Sequence, residues 1–307
     1  MKNNIFSPAR KRTYLNVFSK TSLLACLLTI SACTHVFFQP NQINYLKGVD
    51  IPFTIEEVTT KTADGHLLTH WLLKPEKIEG VVFHLHGNAQ NITAHIRSVA
   101  WLVKHGYLVY MFEYRGYITP HKPSIENTIS DVQLALHGLI KKYPQLPIYV
   151  FGQSLGGSIA ITSVAQLKDK EELCALITEA AFASYEGIAK EKLSEVWLTS
   201  LLKTPLSRLF SSDYDAQKYV AQLSPLPLLI IHSPDDKIVP MQHGALLYKT
   251  AKMPKHYLRS EGGHISTLQD PKYRIKLLKF LKNHQCKKNP QKTEAPIKAY
   301  RKNSHLP

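Results

Sequence analysis

Short, continuous runs of apolar residues recur between residues 80 and 259 of the chain. Such runs are typical of strands that are buried on both faces of a parallel sheet. The strands predicted in this way are 80–86, 107–113, 147–152, 175–179, 228–232 and 256–259. Two earlier segments, 54–61 and 66–74, flank the turn sequence Ala63-Asp64-Gly65 and predict two further strands joined by that turn.

Helical periodicity fills the gaps between these strands. The predicted helices cover about residues 91–105, 124–142, 155–167, 241–252 and 271–284. Ser124 follows Pro123 and is a suitable N-cap for the second helix. Strands that alternate with helices predict an α/β fold, with a mostly parallel central sheet and helices on both faces. The chain of 307 residues is long enough for such a domain to bury a full core.

Residues 185–222 interrupt this alternation of strands and helices. They carry many apolar side chains at helical spacing but contain no predicted buried strand. We expect a small helical cap that lies over the strand ends, although a crossover helix with a long loop fits the same pattern. The domain is predicted to span residues 54–284 and to include this cap-like insertion.

A glycine-flanked serine lies between a predicted buried strand and a predicted helix. Residues 152–156 have the pattern G-x-S-x-G, with Ser154 at its centre. Gly152 and Gly156 leave room for a sharp turn that exposes the serine above the sheet. The N-terminus of the following helix favours developing negative charge. The sequence therefore predicts that Ser154 is a nucleophile.

A serine nucleophile needs a base, and the base needs an acid to orient it. Asp235 and Asp236 follow the strand 228–232, at the end of a strand where sites form in α/β folds. His264 follows two glycines after the last predicted strand. The gap from Asp236 to His264 is long enough for one helix and one strand. By position alone, either aspartate fits the role of the acid.

The segment 86–91, with the sequence H-G-N-A-Q-N, ends an early strand and is the predicted oxyanion loop. In an elbow of this type, the oxyanion is bound by the N–H after the nucleophile and by an N–H from such a loop. The predicted donors are Leu155 and Asn88, with Ala89 as the alternative to Asn88. Asn91 is expected to be the N-cap of the following helix.

These motifs resemble the α/β-hydrolase-domain serine hydrolases that carry H-G-N-A-x-N, a Y-R-G-Y turn and G-x-S-x-G-G. The corresponding residues here are 86–91, 114–117 and 152–157. The resemblance covers roughly residues 55–284. It implies the α/β-hydrolase fold, hydrolytic chemistry and no metal or organic cofactor. Members of the group are esterases, thioesterases and peptidases, so the resemblance indicates the chemistry better than the substrate.

The resemblance also chooses between the two aspartates. Alignment of the acid motif of the group with residues 232–240 places its acid at Asp236, and the G-G-H motif places the histidine at His264. The chain departs from the pattern at Glu113, where the group usually has aspartate, at Ile118, where it has glycine, and at Ser233, also usually glycine. None of these changes removes a predicted catalytic group.

The N-terminus has the features of a targeting segment. Residues 1–32 contain five basic residues and no acidic one, and residues 23–30 are apolar but too few to span a bilayer. The sequence Ile-Ser-Ala-Cys at 30–33 resembles the lipobox of bacterial lipoproteins, which implies cleavage before Cys33 and diacylglycerol on its sulfur. An ordinary secretory signal and an uncleaved anchor are the alternatives. Thr34, where aspartate would indicate inner-membrane retention, favours the outer membrane.

The remaining sequence features modify this picture only slightly. Much of the formal net charge of +15 lies at the two ends, and no nucleic-acid-binding module accompanies it, so we expect no nucleic-acid partner. Residues 33–53 are predicted to be a linker, and 285–307 a basic, disordered tail. The four cysteines show no metal-type spacing. Cys174 opens a predicted strand and is interpreted as a buried core thiol, with no disulfide framework expected.

Together these features predict a hydrolase of carboxylic esters or thioesters that works through an acyl-enzyme. The proposed anchor predicts a location in the bacterial cell envelope, contact with the membrane and a lipid-like acyl substrate. A prolyl-type serine peptidase is the enzymatic alternative. A lipoprotein that uses the same fold only for binding is the alternative from another class, because the fold by itself does not give the function.

Overall fold

The computed structural model describes residues 37–117, 122–195, 203–208 and 210–286. Its strands in these ranges are β1 Gln39–Pro40, β2 Thr54–Lys61, β3 Leu67–Lys74, β4 Gly80–Leu85, β5 Ala89–Gln90, β6 Tyr107–Phe112, β7 Ile148–Gln153, β8 Ala175–Glu179, β9 Leu228–His232 and β10 Lys255–Arg259. Its helices are α1 Ile92–Val99, α2 Ile125–Lys142, α3 Leu155–Ala165, α4 Tyr185–Glu195, α5 Lys203–Ser207, α6 Ala216–Tyr219, α7 Met241–Thr250 and α8 Pro271–Asn283.

Eight of these strands form one sheet in the order β10-β9-β8-β7-β4-β6-β3-β2. β3 is antiparallel to β2 and to β6, whereas the other neighbouring pairs are parallel. β4, β7, β8 and β9 therefore end at the same edge of the sheet, where α/β folds place their sites. The predicted α/β architecture with a mostly parallel sheet is confirmed.

Side chains of the sheet alternate between two hydrophobic clusters, one on each face. In β4, Phe83 belongs to the first cluster and Val82 to the second, and Leu108 and Val109 of β6 divide in the same way. Residues of α2, α3 and α7 complete the first cluster, and residues of α1 and α8 complete the second. Because both faces are covered, the central strands β4, β6, β7, β8 and β9 are buried along their whole length, which is why their sequences predict them so well.

The helix predicted over residues 91–105 changes character at its middle. It is α-helical over Ile92–Val99 and continues as a 3-10 helix over Ala100–His105. Gly106, with φ +82°, ends it. Asn91 caps α1 by accepting a hydrogen bond from the Thr93 N–H, as predicted.

The prediction of a linker over residues 33–53 is wrong for its described part, which packs against the domain. Phe37 and Phe38 are only 6% and 1% exposed. β1 pairs with β5 in a separate two-stranded parallel sheet, and the Tyr45 N–H donates to Thr93 Oγ1 over 3.1 Å. The sequence lacks a strand signal here because two adjacent side chains are buried and much of the remaining attachment is through the backbone.

A disulfide between Cys174 and Cys286 corrects the interpretation of Cys174 as a free core thiol. The two cysteines are 112 residues apart in the sequence. Cys174 precedes β8, and Cys286 follows α8. They meet because α8 packs on the face of the sheet where the Cys174 side chain is buried. A pairing of this range is visible only after the helix and the strand have been placed in the fold.

The predicted cap segment 185–222 contains α4, α5 and α6 in its described part, and a 3-10 turn, Val220–Leu223, begins in it and ends one residue beyond it. Residues 196–202 and 209 of this segment lie outside the described residues, as do the predicted signal sequence, Cys33 and the tail from residue 287. Among the helices that the structure describes, none is sufficiently long and apolar to cross a membrane.

Candidate active site

Ser154 lies in the sharp turn that joins β7 to α3. Its backbone has φ +54° and ψ −120°, a strained conformation that costs about 1–3 kcal/mol. A Cβ on Gly152 would overlap the backbone of Gly156, and a Cβ on Gly156 would overlap the carbonyl of Leu85, so both glycines are required for the turn. The Ser154 N–H donates to the Glu179 carbonyl over 2.8 Å, which ties the turn to β8.

The structure brings the three residues of the predicted triad together. His264 Nε2 lies 2.9 Å from Ser154 Oγ, and His264 Nδ1 lies 2.7 Å from Asp236 Oδ2. Because an ionised carboxylate only accepts hydrogen bonds, Nδ1 carries the proton and Nε2 is free to accept from the serine hydroxyl. The three residues follow β7, β9 and β10, and they meet because these strands end at one edge of the sheet.

Of the two neighbouring aspartates, Asp236 is the one beside His264. Its other oxygen, Oδ1, accepts the N–H groups of Ile238 and Val239 over 2.8 and 2.9 Å, and its side chain is 1% exposed. Asp235 is exposed and accepts a long hydrogen bond, 3.4 Å, from the Gly262 N–H.

The carboxyl group of Asp236 is held in its ionised form. Burial by itself would raise its pKa, but the hydrogen bond from His264 and the two backbone N–H groups outweigh burial and hold the pKa below its ordinary value. The group therefore stays negative at neutral pH. A fixed negative charge beside His264 stabilises the imidazolium that forms when the ring takes a proton.

The predicted oxyanion loop, residues 86–91, follows β4 and passes beside the nucleophile. A Cβ built on Gly87 would lie 3.8 Å from Ser154 Cβ. Asn88, the predicted donor of this loop, is the next residue. Leu155, the other predicted donor, is the first residue of α3, whose N-terminus favours negative charge.

His86 and Glu113 hold this loop by hydrogen bonds. His86 Nδ1 lies 2.8 Å from the Gly87 carbonyl oxygen, and His86 Nε2 lies 2.8 Å from Glu113 Oε1. Glu113 Oε2 accepts the Ile92 N–H over 2.9 Å, which links the start of α1 to the same carboxylate. In the sequence, Glu113 stands out only as a departure from a motif. An acidic residue at the end of a buried apolar run is the signal that points to such a role.

Arg115 holds the Y-R-G-Y turn at residues 114–117. Its guanidinium forms bidentate pairs with Asp131 of α2 and with Asp64 of the β2–β3 turn. The hydrogen bond from Arg115 holds the pKa of Asp64 well below its usual range. The turn is thus fastened to two separate elements of the fold.

Glu179 is a second buried carboxylate that sequence reasoning missed. Its Oε2 accepts from Gln153 Nε2 over 2.7 Å, and its Oε1 accepts the Thr267 N–H over 2.9 Å. Burial raises its pKa, although the hydrogen bonds from Gln153 and Thr267 oppose this. The side chain connects the strand before Ser154 to the loop that carries His264.

This arrangement supplies the groups that nucleophilic acyl transfer requires. A serine hydroxyl lies beside an oriented imidazole, and backbone N–H groups of a loop and a helix N-terminus adjoin it. In the part of the chain that the structure describes, no group of three or more His, Cys, Asp or Glu side chains could hold a metal ion.

A family model and several proteins of known sequence match this chain. A family model described as Hydrolase_4, serine aminopeptidase S33, matches residues 76–212. Escherichia coli O157:H7 YfhR, described as an uncharacterized protein, is 30% identical over 287 residues, which are 89% of this chain and 96% of YfhR. The lysophosphatidylserine lipase ABHD12 of Danio rerio is 30% identical over 184 residues, 57% of this chain and 48% of that protein.

Among solved structures, the Pyrococcus furiosus esterase Pf2001 is similar in fold. It matches with a TM-score of 0.62 and 24% sequence identity, over 81% of this chain and 98% of the esterase chain. The match confirms the α/β-hydrolase fold that the motifs predicted.

Proposed function

This chain belongs to the serine hydrolases of the α/β-hydrolase family, and from that premise we propose that it cleaves a carboxylic ester or thioester through an acyl-enzyme. The observation that carries the proposal is the hydrogen-bonded series from Ser154 through His264 to Asp236, with distances of 2.9 and 2.7 Å. A lipoprotein that only binds a ligand would not need a serine that lies in a strained turn and is hydrogen-bonded to a base and, through it, to an acid.

In the first half of the reaction, Ser154 Oγ attacks the acyl carbonyl carbon and its proton moves to His264 Nε2. The carbonyl oxygen becomes an oxyanion, which accepts hydrogen bonds from the N–H of Leu155 and from a loop N–H, that of Asn88 or its alternative Ala89. Each such donor contributes about 3 kcal/mol of transition-state stabilisation. The bond from the acyl carbon to the leaving oxygen or sulfur then breaks, and the leaving group takes the proton from His264.

In the second half, His264 removes a proton from a water molecule, whose oxygen attacks the acyl carbon of the ester on Ser154. The second oxyanion uses the same donors. Its collapse breaks the acyl bond to Ser154 Oγ, which regains its proton from His264, and a carboxylic acid is released. The bond changes use only side chains of the site, the substrate and water, so we propose no cofactor.

The proposed substrate is lipid-like, and the proposed location is the bacterial cell envelope, with the outer membrane favoured over the inner one. The lipobox-like sequence ending at Cys33 is the first support for this. The second is the Cys174–Cys286 disulfide, because disulfides persist in oxidising compartments and are rare in the cytosol. The third is the similarity to ABHD12, which is described as a lipase of lysophosphatidylserine.

A prolyl-type peptidase is the second candidate, because the matching family model is described as a serine aminopeptidase. The two candidates share the nucleophile and differ in the bond that is cleaved. The test is a panel of p-nitrophenyl esters of graded chain length, an acyl thioester and amino-acid p-nitroanilides. We expect turnover of the esters or thioester to exceed that of the anilides. Faster cleavage of the anilides would establish the peptidase instead.

Matched variants test the roles of the residues. A fluorophosphonate probe should label the wild type but not Ser154→Ala. Asp236→Asn should lower turnover by about 10⁴-fold, because it removes the acid that sets the tautomer of His264. Asp235→Asn changes a neighbouring, exposed carboxylate in the same way and should change turnover little. A crippled Asp235→Asn variant, or equal labelling of Ser154→Ala, would contradict the assignment.

The anchor is tested separately from the chemistry. Mass spectrometry of the N-terminal peptide should show cleavage before Cys33 and a diacylglyceryl group on its sulfur. Cys33→Ser should abolish this modification and leave the ester hydrolase activity intact. A free thiol at Cys33, or a retained Met1, would contradict the proposal of a lipoprotein.

A further inference from the structure

We infer that residues 37–41, which precede the hydrolase core in the sequence, form a strap that positions the oxyanion loop together with Tyr117, through shared hydrogen bonds to the Asn88 carbonyl. This inference rests on the proposed function, because it assigns a role in the same reaction. The strap was predicted as part of a linker. It also lies upstream of the family match, which begins at residue 76.

The strap is bonded directly to the loop through the backbone. The Gln39 N–H donates to the Asn88 carbonyl over 2.8 Å, and the Asn41 N–H donates to the Gln90 carbonyl over 3.3 Å. A second donor reaches the same Asn88 carbonyl from the Y-R-G-Y turn, where Tyr117 Oη lies 2.5 Å away. Burial raises the pKa of Tyr117, so its hydroxyl keeps the proton that it donates.

These bonds control the direction of the backbone N–H groups in the loop. Because a peptide unit is planar and trans, fixing its carbonyl also fixes the opposite direction of its N–H. The contact of His86 with the Gly87 carbonyl fixes the N–H of Asn88. The strap and Tyr117 fix the next peptide unit, which carries the N–H of Ala89. In each of these two peptide units the bonded carbonyl lies opposite the N–H. The two candidate donors of the loop, Asn88 and Ala89, are therefore both held in direction by hydrogen bonds to the carbonyls of Gly87 and Asn88.

The loop needs such support because part of it is strained. Gln90 has φ +68°, in the left-handed region that side chains other than glycine rarely adopt. A strained residue of this kind persists only where its surroundings over-determine it, at a cost of about 1–3 kcal/mol. The bond from Asn41 to the Gln90 carbonyl belongs to those surroundings. Without the strap, we expect the loop to relax and to turn its donors away from Ser154.

Two buried aromatic side chains hold the strap in place. Phe37 packs edge-on against Tyr185 and Phe210, each with ring centroids 5.0 Å away. Phe38 meets Tyr114 and Tyr117 at 6.2 and 6.4 Å. The strap thus lies between the predicted cap segment and the Y-R-G-Y turn. This placement couples the segment nearest the proposed anchor to the catalytic centre.

The test removes single hydrogen bonds from the Asn88 carbonyl. Gln39→Pro deletes the donating N–H, and Gln39→Ala is its matched control, because it keeps the N–H and removes only an exposed side chain. Tyr117→Phe removes the second donor by deleting one oxygen. We expect Gln39→Pro and Tyr117→Phe each to lower kcat about tenfold with KM unchanged, since only the transition state carries the oxyanion. Gln39→Ala should keep the wild-type kcat.

Two further measurements keep this inference distinct from the proposed function and from a loss of folding. The rate at which a fluorophosphonate labels Ser154 should fall by the same factor as kcat, and this readout does not depend on the natural substrate. Thermal unfolding should show that Tyr117→Phe remains folded at the assay temperature, even if Gln39→Pro does not. Wild-type kcat and labelling rate in a folded Tyr117→Phe variant would overturn the inference, and so would equal losses in Gln39→Ala and Gln39→Pro.

Discussion

His70 and His84 are polar side chains placed entirely inside the sheet. Both are fully buried, and burial lowers the pKa of each to about 3. His70 Nδ1 accepts the Glu113 N–H over 3.0 Å, so this nitrogen must stay unprotonated for the contact to form. The two rings therefore remain neutral in the folded protein over a pH range in which the unfolded chain would protonate them.

This difference predicts how stability depends on pH. Folding lowers the pKa of such a histidine below the value of about 6.5 that it has in the unfolded chain. Above that pH the ring takes nothing from the free energy of unfolding, but the free energy of unfolding falls as the pH drops from about 6.5 toward about 3. Between these two pKa values, each buried ring lowers the free energy of unfolding by about 1.4 kcal/mol for every unit by which the pH falls. In urea unfolding at about pH 7, 6 and 5, His70→Asn should show a slope smaller by about this amount. An unchanged slope would show that His70 does not titrate on unfolding.

The residues that the sequence identifies are those with distinctive neighbours. Ser154 and His264 lie within two residues of glycines, shortly after predicted strands, a combination that few structural residues share. Asp235 and Asp236 have the same local surroundings, so residue-level reasoning leaves both open. Glu113 and Glu179 were missed because their hydrogen-bond partners include backbone N–H groups from loops distant in the sequence.

At the scale of secondary-structure elements, β7, β8 and the loop after β10 are connected by one side chain. Glu179 accepts from Gln153, next to the nucleophile, and from the Thr267 N–H, three residues beyond the predicted base. The carboxylate of Glu179 bonds Gln153 and Thr267, whereas Ser154 Oγ bonds His264, so we assign Glu179 as a positioning residue rather than a catalytic one.

Glu179→Gln tests this connection. An amide can accept at one atom only, so the variant loses one of the two hydrogen bonds and lets the histidine loop move relative to the elbow. We expect kcat to fall about 10- to 100-fold with little change in KM, because small displacements of reacting groups are costly. Glu171→Gln makes the same chemical change on an exposed residue and should match the wild type. A variant Glu179→Gln that lowers only the unfolding temperature would reduce Glu179 to a structural role.

The central strands of the large sheet were predictable because they are continuously apolar, as at 107–112 and 228–232. β1 and β5 were not, since each has two residues and is recognised only by its backbone pairing. The change from α-helix to 3-10 helix after Val99 was also missed. Apolar periodicity shows which face of a helix is buried but does not distinguish these two helix types over only two turns.

At the scale of the whole molecule, the disulfide closes a long covalent loop of the chain that contains much of the site. The loop from Cys174 to Cys286 includes Glu179, Asp236 and His264 but not the nucleophile. A crosslink of this range limits the freedom of the unfolded chain and stabilises the fold by about 4–5 kcal/mol in the chain-entropy model. Cys286→Ser should lower the free energy of unfolding by this amount. A reductant should destabilise the wild type equally and leave the variant unchanged, whereas no response in the wild type would contradict the prediction.

The packed strap also changes the expected distance between the anchor and the site. As a free linker, residues 33–53 would give a lipidated Cys33 a long tether. Because the described chain is already fixed at Phe37, only three residues lie between Phe37 and Cys33, and these four residue steps reach roughly 14 Å at most. The proposed anchor would thus hold the oxyanion loop close to the membrane surface.

Lengthening this tether is the test. An insertion of about 12 Gly and Ser residues after Thr34 leaves Cys33 and the strap intact, but it lowers the effective concentration of the site at the bilayer, which falls roughly as the −3/2 power of tether length. We expect a several-fold lower rate on an ester embedded in phospholipid vesicles and an unchanged rate on a soluble p-nitrophenyl ester. Mass spectrometry of the variant must show the lipid on Cys33, since loss of the lipid would also lower the vesicle rate. Equal vesicle rates for two lipidated proteins would show that the short tether does not present the site to the membrane.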